Sequence, residues 1–498
     1  MPKTIKKHKK TAVLLAAVLS MVMLPARVRA AVPYQCYSYD YYGNEKPEPA
    51  PYTVTAVWQG SGAEAGGLSE PGDLFVTEER IYIADSGNDR ILVLKQDFSL
   101  DFVIDGFRGT EEGEPETLNH PQGIYVTQEG HIYVADTYNG RILEYDRQGR
   151  SLRSIGRPRT ALLSGAFDYR PMKLAVDGAG RIFISAYGVN LGLIELDADG
   201  EFRTFIGAID VTVGAVEYIW KHYLSTQDQR DRMTASIPTE YSNIFMDGQD
   251  FIYAVISTLS EEQIRQGADM VRRLNPSGRD VLRRLGNMPV TGDGDQEEPC
   301  RFVDITALES GTYFVLDSSR GKIYCYDYDG NLMYVFGGTG NRRGNFKQPS
   351  AIGARDGGRQ LLVLDSGNNA LYVFTATEYG AGILEALEAG NSGSMEEAAR
   401  AWERVWKLNT NNAYAGVGIG RYYLQNGELQ KAMEYFKNAN NRTYYSKAYE
   451  LYRKELMQRS FGIYVSVGAA GILILWSAVR IRRFNRKVRR TNGNWEMS

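Results

Sequence analysis

The sequence predicts an all-β six-bladed β-propeller, followed by a small all-α segment and one transmembrane helix. Three observations predict it. A three-strand pattern, clearest in HPQGIYVTQEGHIYVADTYNGRILEYDRQG (His120–Gly149), recurs six times. After Thr375, strand alternation gives way to apolar residues at helical spacing. Near the C-terminus, Phe461–Val479 carries no charge.

The His120–Gly149 unit reads as strands Gly123–Thr127, His131–Asp136 and Arg141–Asp146, with Gly, Asn or Asp at each break. One such unit cannot bury its apolar face alone and needs neighbours of its own kind. The other copies are Pro71–Leu94, Pro171–Gly200, Tyr241–Ala254, Cys300–Gly330 and Pro349–Phe374. The copy at Tyr241 has a late third strand near Val271–Asn275. Asp85, Asp136, Asp317 and Asp365 close the second strand in four copies. A period of roughly 50 residues, longer around the fourth copy, points to six propeller blades.

The segments YIADSGNDRI, YVADTYNGRI and VLDSGNNAL resemble NHL repeats, and the resemblance covers about Leu68–Thr375. The motif is fairly specific in blades one, two and six. Blade three has ISAYGVN, blade four lacks the motif, and blade five keeps Asp317, Arg320 and Lys322 without the Asn.

The N-terminus carries Lys3, Lys6, Lys7, Lys9 and Lys10, then the apolar run Thr11–Leu24, then Val28-Arg29-Ala30. This is the layout of a secretory signal peptide over residues 1–30, cleaved after Ala30. As an anchor the run would reach only about 21 Å, short of a ~30 Å hydrocarbon core. Residues 31–51 read as an extended spacer rich in Tyr, Pro and Glu. The three cysteines, Cys36, Cys300 and Cys325, are an odd count, so disulfides are not the scaffold.

The propeller spans 52–378. Blade six shows three strands of its own, and Tyr52–Trp58 is expected to supply the fourth, closing the ring. An insertion at 207–238 places Val213, Val216, Ile219, Trp220, Tyr223 and Leu224 at helical spacing, which predicts an amphipathic helix. It reads as a decoration packed on the wall or as a lid over one channel mouth. Ser260–Gln263 has a capping-box pattern opening a short helix. The acidic loops Glu111–Glu116 and Asp293–Glu298 lack calcium-loop spacing, and Asp197–Gly200 and Asp327–Gly330 read as hairpin turns.

Residues 379–460 read as helices. Ile419, Gly420, Tyr423, Gly427, Leu429, Ala432, Phe436 and Ala439, with Ala398, Trp402 and Val405 before them, resemble tetratricopeptide (TPR) repeats. About one and a half repeats are too few to stand alone, so these helices must lean on something else. Phe461–Val479 spans about 28 Å as a helix, enough to cross a bilayer. The tail at 480–498 holds Arg480, Arg482, Arg483, Arg486, Lys487, Arg489 and Arg490, which by the positive-inside rule is cytoplasmic. The propeller is then extracellular on a single-pass cell-membrane protein.

A net charge of −3 argues against a nucleic-acid binder. The starts of the first strands place His120, Gln122, Lys173, Asn243, Arg301 and Ser350 around a channel mouth. That mixed set suits a polar small molecule, a peptide or a carbohydrate. Asp85, Asn88, Asp136, Asn139, Asp365 and Asn368 with Arg90 and Arg141 read as turn-stabilising groups. The predicted function is a binding or scaffold protein that recognises a ligand or partner of a surface or transport complex through propeller and helices, with no catalytic residue or cofactor assigned. The alternative rests on similarity to SMP-30/gluconolactonase-like lactonases. That resemblance implies calcium or another divalent metal held by Glu70, Asn243 and Asp304. The zinc-dependent NHL-type lyases imply histidine ligands, but His120, His131 and His222 have no paired spacing.

Overall fold

Six antiparallel sheets follow one another around a closed ring. The computed structural model describes residues 32–493 except 41, 61–65, 110–115, 164–166, 209–239, 260–262, 265–267, 287 and 294–299. The signal peptide, almost all of the 207–238 insertion, the Ser260 capping box and most of both acidic loops lie outside the described residues.

Blade 1 comprises Asp73–Val76, Arg80–Asp85, Arg90–Lys95 and Leu100–Ile104. Blade 2 comprises Gly123–Val126, Ile132–Asp136, Arg141–Tyr145 and Ser151–Ile155, and blade 3 runs from Pro171–Val176 to Phe202–Ile206. Blade 4 has three strands, Asn243–Met246, Ile252–Val255 and Val271–Leu274, with a bridge from Leu274 to Asp280 beyond them. Blade 5 begins at Phe302–Ala307 and blade 6 at Pro349–Arg355. The second strand of blades 2 to 5 is buried at every position. Sheets cover it on both sides, so it reads as a continuous apolar run rather than an alternating one.

Strand Tyr52–Trp58 pairs with Ala370–Ala376 and completes blade 6. Tyr52 is fully buried, stacks on Phe336 at 4.9 Å and donates its hydroxyl to the Gly358 carbonyl at 2.6 Å. The spacer expectation for 31–51 is corrected. Gln35–Tyr39 pairs with the outer strand of blade 5, and Glu45–Pro47 pairs with it in turn, giving a six-stranded sheet. Asp293 explains why. It accepts from the Tyr37 hydroxyl (2.6 Å), the Tyr39 hydroxyl (2.8 Å) and Lys322 Nζ (2.8 Å). Burial opposes its charge, yet Lys322 and the two phenols hold Asp293 below the usual carboxylate range. Asp293 lies some 250 residues from the tyrosines, beyond any local pattern. All three cysteines are free thiols.

Five helices follow: α1 (Glu378–Asn391), α2 (Met395–Leu408), α3 (Ala413–Gln425), α4 (Leu429–Asn438) and α5 (Arg442–Gly493). Thr377 caps α1, its side chain accepting from the Gly380 amide. The helices lean on the propeller. Tyr379, Ile383, Trp402, Val405 and Ile419 share one apolar cluster with Tyr52, Phe314, Phe336 and Phe374 of blades 5 and 6. Gly420 lets α3 and α4 touch, since a Cβ there would sit 2.5 Å from the Phe436 ring. One helix runs across the expected boundaries at 460 and 479. The chain continues as one helix from 442 to 493, and no proline falls within it.

Candidate functional site: a polar ring across the propeller axis

The first strand of each blade lines the channel, and one of its positions, paired at or one residue before the end of strand two, repeats around the ring. These positions are Asp73, Gly123, Lys173, Asn243, Asp304 and Ala351, paired with Ala84, Ala135, Ser185, Val255, Leu316 and Leu364. Each sits two residues after Pro71, Pro121, Pro171, Tyr241, Phe302 or Pro349. Asp73, Lys173, Asn243 and Asp304 are all buried.

Their polar atoms are used on one another and on neighbouring blades. Lys173 Nζ lies 2.7 Å from Asp73 Oδ1 and donates to the Gly72 carbonyl at 3.0 Å. This ion pair joins blade 3 to blade 1 past blade 2, where the ring residue is Gly123. A Cβ on Gly123 would stand 2.3 Å from the Met172 carbonyl oxygen, so the two inner strands meet only through glycine. Asp73 Oδ2 accepts the Ile124 amide at 2.9 Å. Asn243 Nδ2 donates to Asp304 Oδ1 at 2.6 Å, which also takes the Ile305 amide at 2.7 Å. Asp304 Oδ2 accepts the Ile352 amide at 2.6 Å.

Burial, then the nearby Asp73 carboxylate, push Asp304 up to about 8, against the pull of Lys173 and the two backbone amides. Three donors occupy three of its four acceptor positions, and the fourth can hold a proton. Folded protein then binds a proton that the unfolded chain releases near pH ~4. The resulting stabilisation is complete below that value and is lost as pH rises through about 8. The expected result is a melting temperature that falls between about pH 4 and pH 8 and levels off above, with the slope reduced in Asp304→Asn. A wild-type melting temperature that is flat across that window contradicts it.

The six expected mouth residues separate. Lys173 and Asn243 belong to the ring. Gln122 and Ser350 are half-buried one residue before it, and Ser350 Oγ donates to the Pro71 carbonyl at 2.8 Å, tying blade 6 to blade 1. His120 makes an inter-blade contact: its amide donates to Asp89 Oδ1 at 2.7 Å and its ring stacks on Tyr138 at 4.8 Å. Arg301 is exposed and its amide bonds to Asp317 at 3.0 Å, so it too belongs to a turn. The ring side chain that sequence reasoning misses is Asp73. Alignment of the copies on the proline two residues upstream is the signal that finds it.

The Asp/Asn/Arg turns make the bonds expected of them. Asp85 accepts the Ser69 amide (2.7 Å), Asn88 Nδ2 (2.8 Å) and Arg90 Nε (2.7 Å). Asp136 repeats this with Asn119, Asn139 and Arg141 at 2.8, 2.9 and 2.7 Å. Asp365 accepts the Lys347 and Gln348 amides and Asn368 Nδ2. Each motif therefore anchors the segment entering its own blade.

Glu70, Asn243 and Asp304 do not fit a divalent metal. Asn243 and Asp304 meet, but Asn243 Oδ1 is turned to its own neighbour, accepting the Ile244 amide at 2.7 Å, and presents N–H to Asp304. Glu70 is exposed, with its amide on Asn369 Oδ1 at 2.9 Å, and blade 1's place in the ring is taken by Asp73. The cation already beside these carboxylates is the Lys173 ammonium. Among the described residues, no three His, Cys, Asp or Glu side chains are grouped to hold a metal ion.

The sequence profile of the NHL repeat matches residues 118–145. No curated protein matches the sequence. Among solved structures, a streptogramin B lyase is 11% identical, covering 62% of this chain and 94% of its own, with a TM-score of 0.38. Virginiamycin B lyase from Staphylococcus aureus is 12% identical, covering 61% of this chain and 94% of its own, at a TM-score of 0.37. A proposed gluconolactonase is 13% identical, covering 69% and 98%, at 0.40. These likenesses carry no argument of their own; the sheet order and the matched profile give a six-bladed propeller that carries an NHL repeat.

Proposed function

We propose that this is a membrane-anchored binding or scaffold protein whose propeller and helical layer stand outside the cell. The observation that carries the reading is α5. Its first turns pack on α4, where Tyr444, Tyr445 and Ala448 meet Ala432 and Phe436. Farther on, Phe461, Ile463, Tyr464, Val467, Ile472, Leu475 and Trp476 are each more than half exposed. The helix is long and apolar enough to cross a membrane. So large an apolar surface is not left in water, and a bilayer covers it. The basic residues beyond Val479 favour a cytoplasmic C-terminus.

Because α5 is continuous, the propeller is coupled to the membrane by a helix rather than by a flexible linker. Small residues of α3 meet large ones of α2 and α4, Gly418 against Trp402 and Gly420 against Phe436; this supports reading the pairs as TPR-like and suited to a protein partner beside the span. A ring whose polar groups are satisfied by one another favours binding over catalysis.

The test has two arms. After alkaline carbonate washing the full chain is expected in the membrane pellet, while a chain ending at Gln458 is released. Protease added to intact cells is expected to remove the propeller and leave a fragment containing the tail. Release of the full chain by carbonate, or protection of the propeller from protease, would refute the reading.

A further inference from the structure

At the other end of the channel from the Asp/Asn/Arg turns, the inner strands build a second feature. Side chains alternate along a strand, so inward positions recur every second residue. Two residues beyond the ring come Phe75 and Tyr125, and two beyond those come Thr77, Thr127, Asp177 and Asp247. These residues line a cavity of about 720 Å³ bounded by the turns between first and second strands of blades 1 to 4. The hydrogen-bonded ring stands behind it, which makes the cavity a cup rather than a tunnel.

The cup has an aromatic floor and an anionic rim. Phe75 and Tyr125 meet edge to face, 5.0 Å apart. Burial, then Asp250 and Asp177, raise the Tyr125 phenol, so it keeps its proton. Three rim carboxylates are neutralised: Glu79 by Arg147, Asp177 by Arg181 and Asp247 by Arg273. Glu78, Glu129 and Asp250 also line the cup, and among the described residues they form no ion pair. The Asp250 carboxylate accepts the Gly178 amide, at 3.1 Å. Uncompensated carboxylates above aromatic rings repel phosphates and carboxylates and attract positive charge, to which the ring faces add.

We propose that this cup binds an organic cation, an alkylammonium or guanidinium group. The group would come from a free amine or from a Lys or Arg side chain of a partner protein. The cup opens on the side of the propeller that carries the helices: Arg359, in the corresponding turn of blade 6, pairs with Glu385 of α1 at 3.0 Å. A bound partner segment would therefore sit beside the helical layer. The inference rests on the binding reading of the propeller and is independent of membrane insertion.

The test is calorimetric titration of the full chain in uncharged detergent with spermidine, with free arginine and with a short Lys/Arg peptide. Hexanediol serves as the neutral control. Saturable binding of at least one cation is expected, weakened about tenfold or more by the triple change Glu78→Gln, Glu129→Gln, Asp250→Asn. Tyr125→Leu is expected to weaken it about tenfold, and Phe75→Leu serves the same purpose if Tyr125→Leu fails to fold. Tighter binding of spermidine or arginine identifies a small-molecule ligand, and tighter binding of the peptide identifies a partner segment. No saturable binding of any cation, equal binding of hexanediol, or unchanged binding in the triple variant overturns the proposal. None of these outcomes alters the carbonate and protease results, so the two readings fail separately.

Discussion

A chain that begins at Leu68 is expected to aggregate rather than form a propeller, seen as void-volume elution and loss of near-ultraviolet dichroism. It lacks Tyr52–Trp58, so Ala370–Ala376 loses its partner and becomes an open sheet edge between blade 6 and solvent. It also lacks Gln35–Tyr39, leaving Asp293 and Lys322 without their tyrosines. The point change Tyr52→Ala isolates one part of this effect. It empties a fully buried site among Phe314, Tyr334 and Phe336 and removes the bond to Gly358. The expected loss is about 3–5 kcal/mol by chemical denaturation. Tyr52→Phe, which keeps the ring, is expected to lose only about 1 kcal/mol. A well-folded monomer from the Leu68 start would show that blade 6 closes without the N-terminal strand.

The second large effect is expected at the channel ring. Asp73→Ala leaves the Lys173 ammonium buried beside no carboxylate of its own and strips the Ile124 amide of its acceptor. Breaking one side of a buried pair costs about 3–5 kcal/mol, more than the intact pair contributes over an apolar substitute. The double change Asp73→Ala with Lys173→Met is therefore expected to recover part of the loss, with a coupling of about 1–3 kcal/mol. Strictly additive losses would show that the two side chains do not act as a pair. The contrast with the cup is useful: ring variants are expected to lower stability, whereas the Glu78, Glu129 and Asp250 changes are expected to lower ligand binding with little loss of stability.

The polar ring is only partly legible in the amino-acid sequence. Lys173, Asn243 and Asp304 stand out as polar residues at the starts of apolar strands, and Asn243 and Asp304 do touch. Asp73 is obscured by Glu70, the more prominent acid beside Pro71, and only the blade-to-blade register shows that Asp73 occupies the equivalent position. His120 and Arg301 lie close to the ring in sequence, but chain direction turns them toward neighbouring blades and turns. The cup is not legible at all, since its rim comes from turns of four blades that local pattern reads as ordinary hairpins.

The sequence by itself determined the six-blade count, the strand that closes the ring, the change to helices after Thr375 and the apolar stretch from Phe461 to Val479. These are local or periodic properties: alternation of side chains, repeat spacing, turn chemistry and an uncharged run. The tertiary structure alone decided that Gln35–Tyr39 extends blade 5, that Asp73 pairs with Lys173 across the axis, and that α5 runs unbroken from the helical layer. The first two depend on groups far apart in the chain that meet only once the ring has closed, and the third on packing against α4. Electrostatic pairing and burial act on distance in space, and nothing in local periodicity records it.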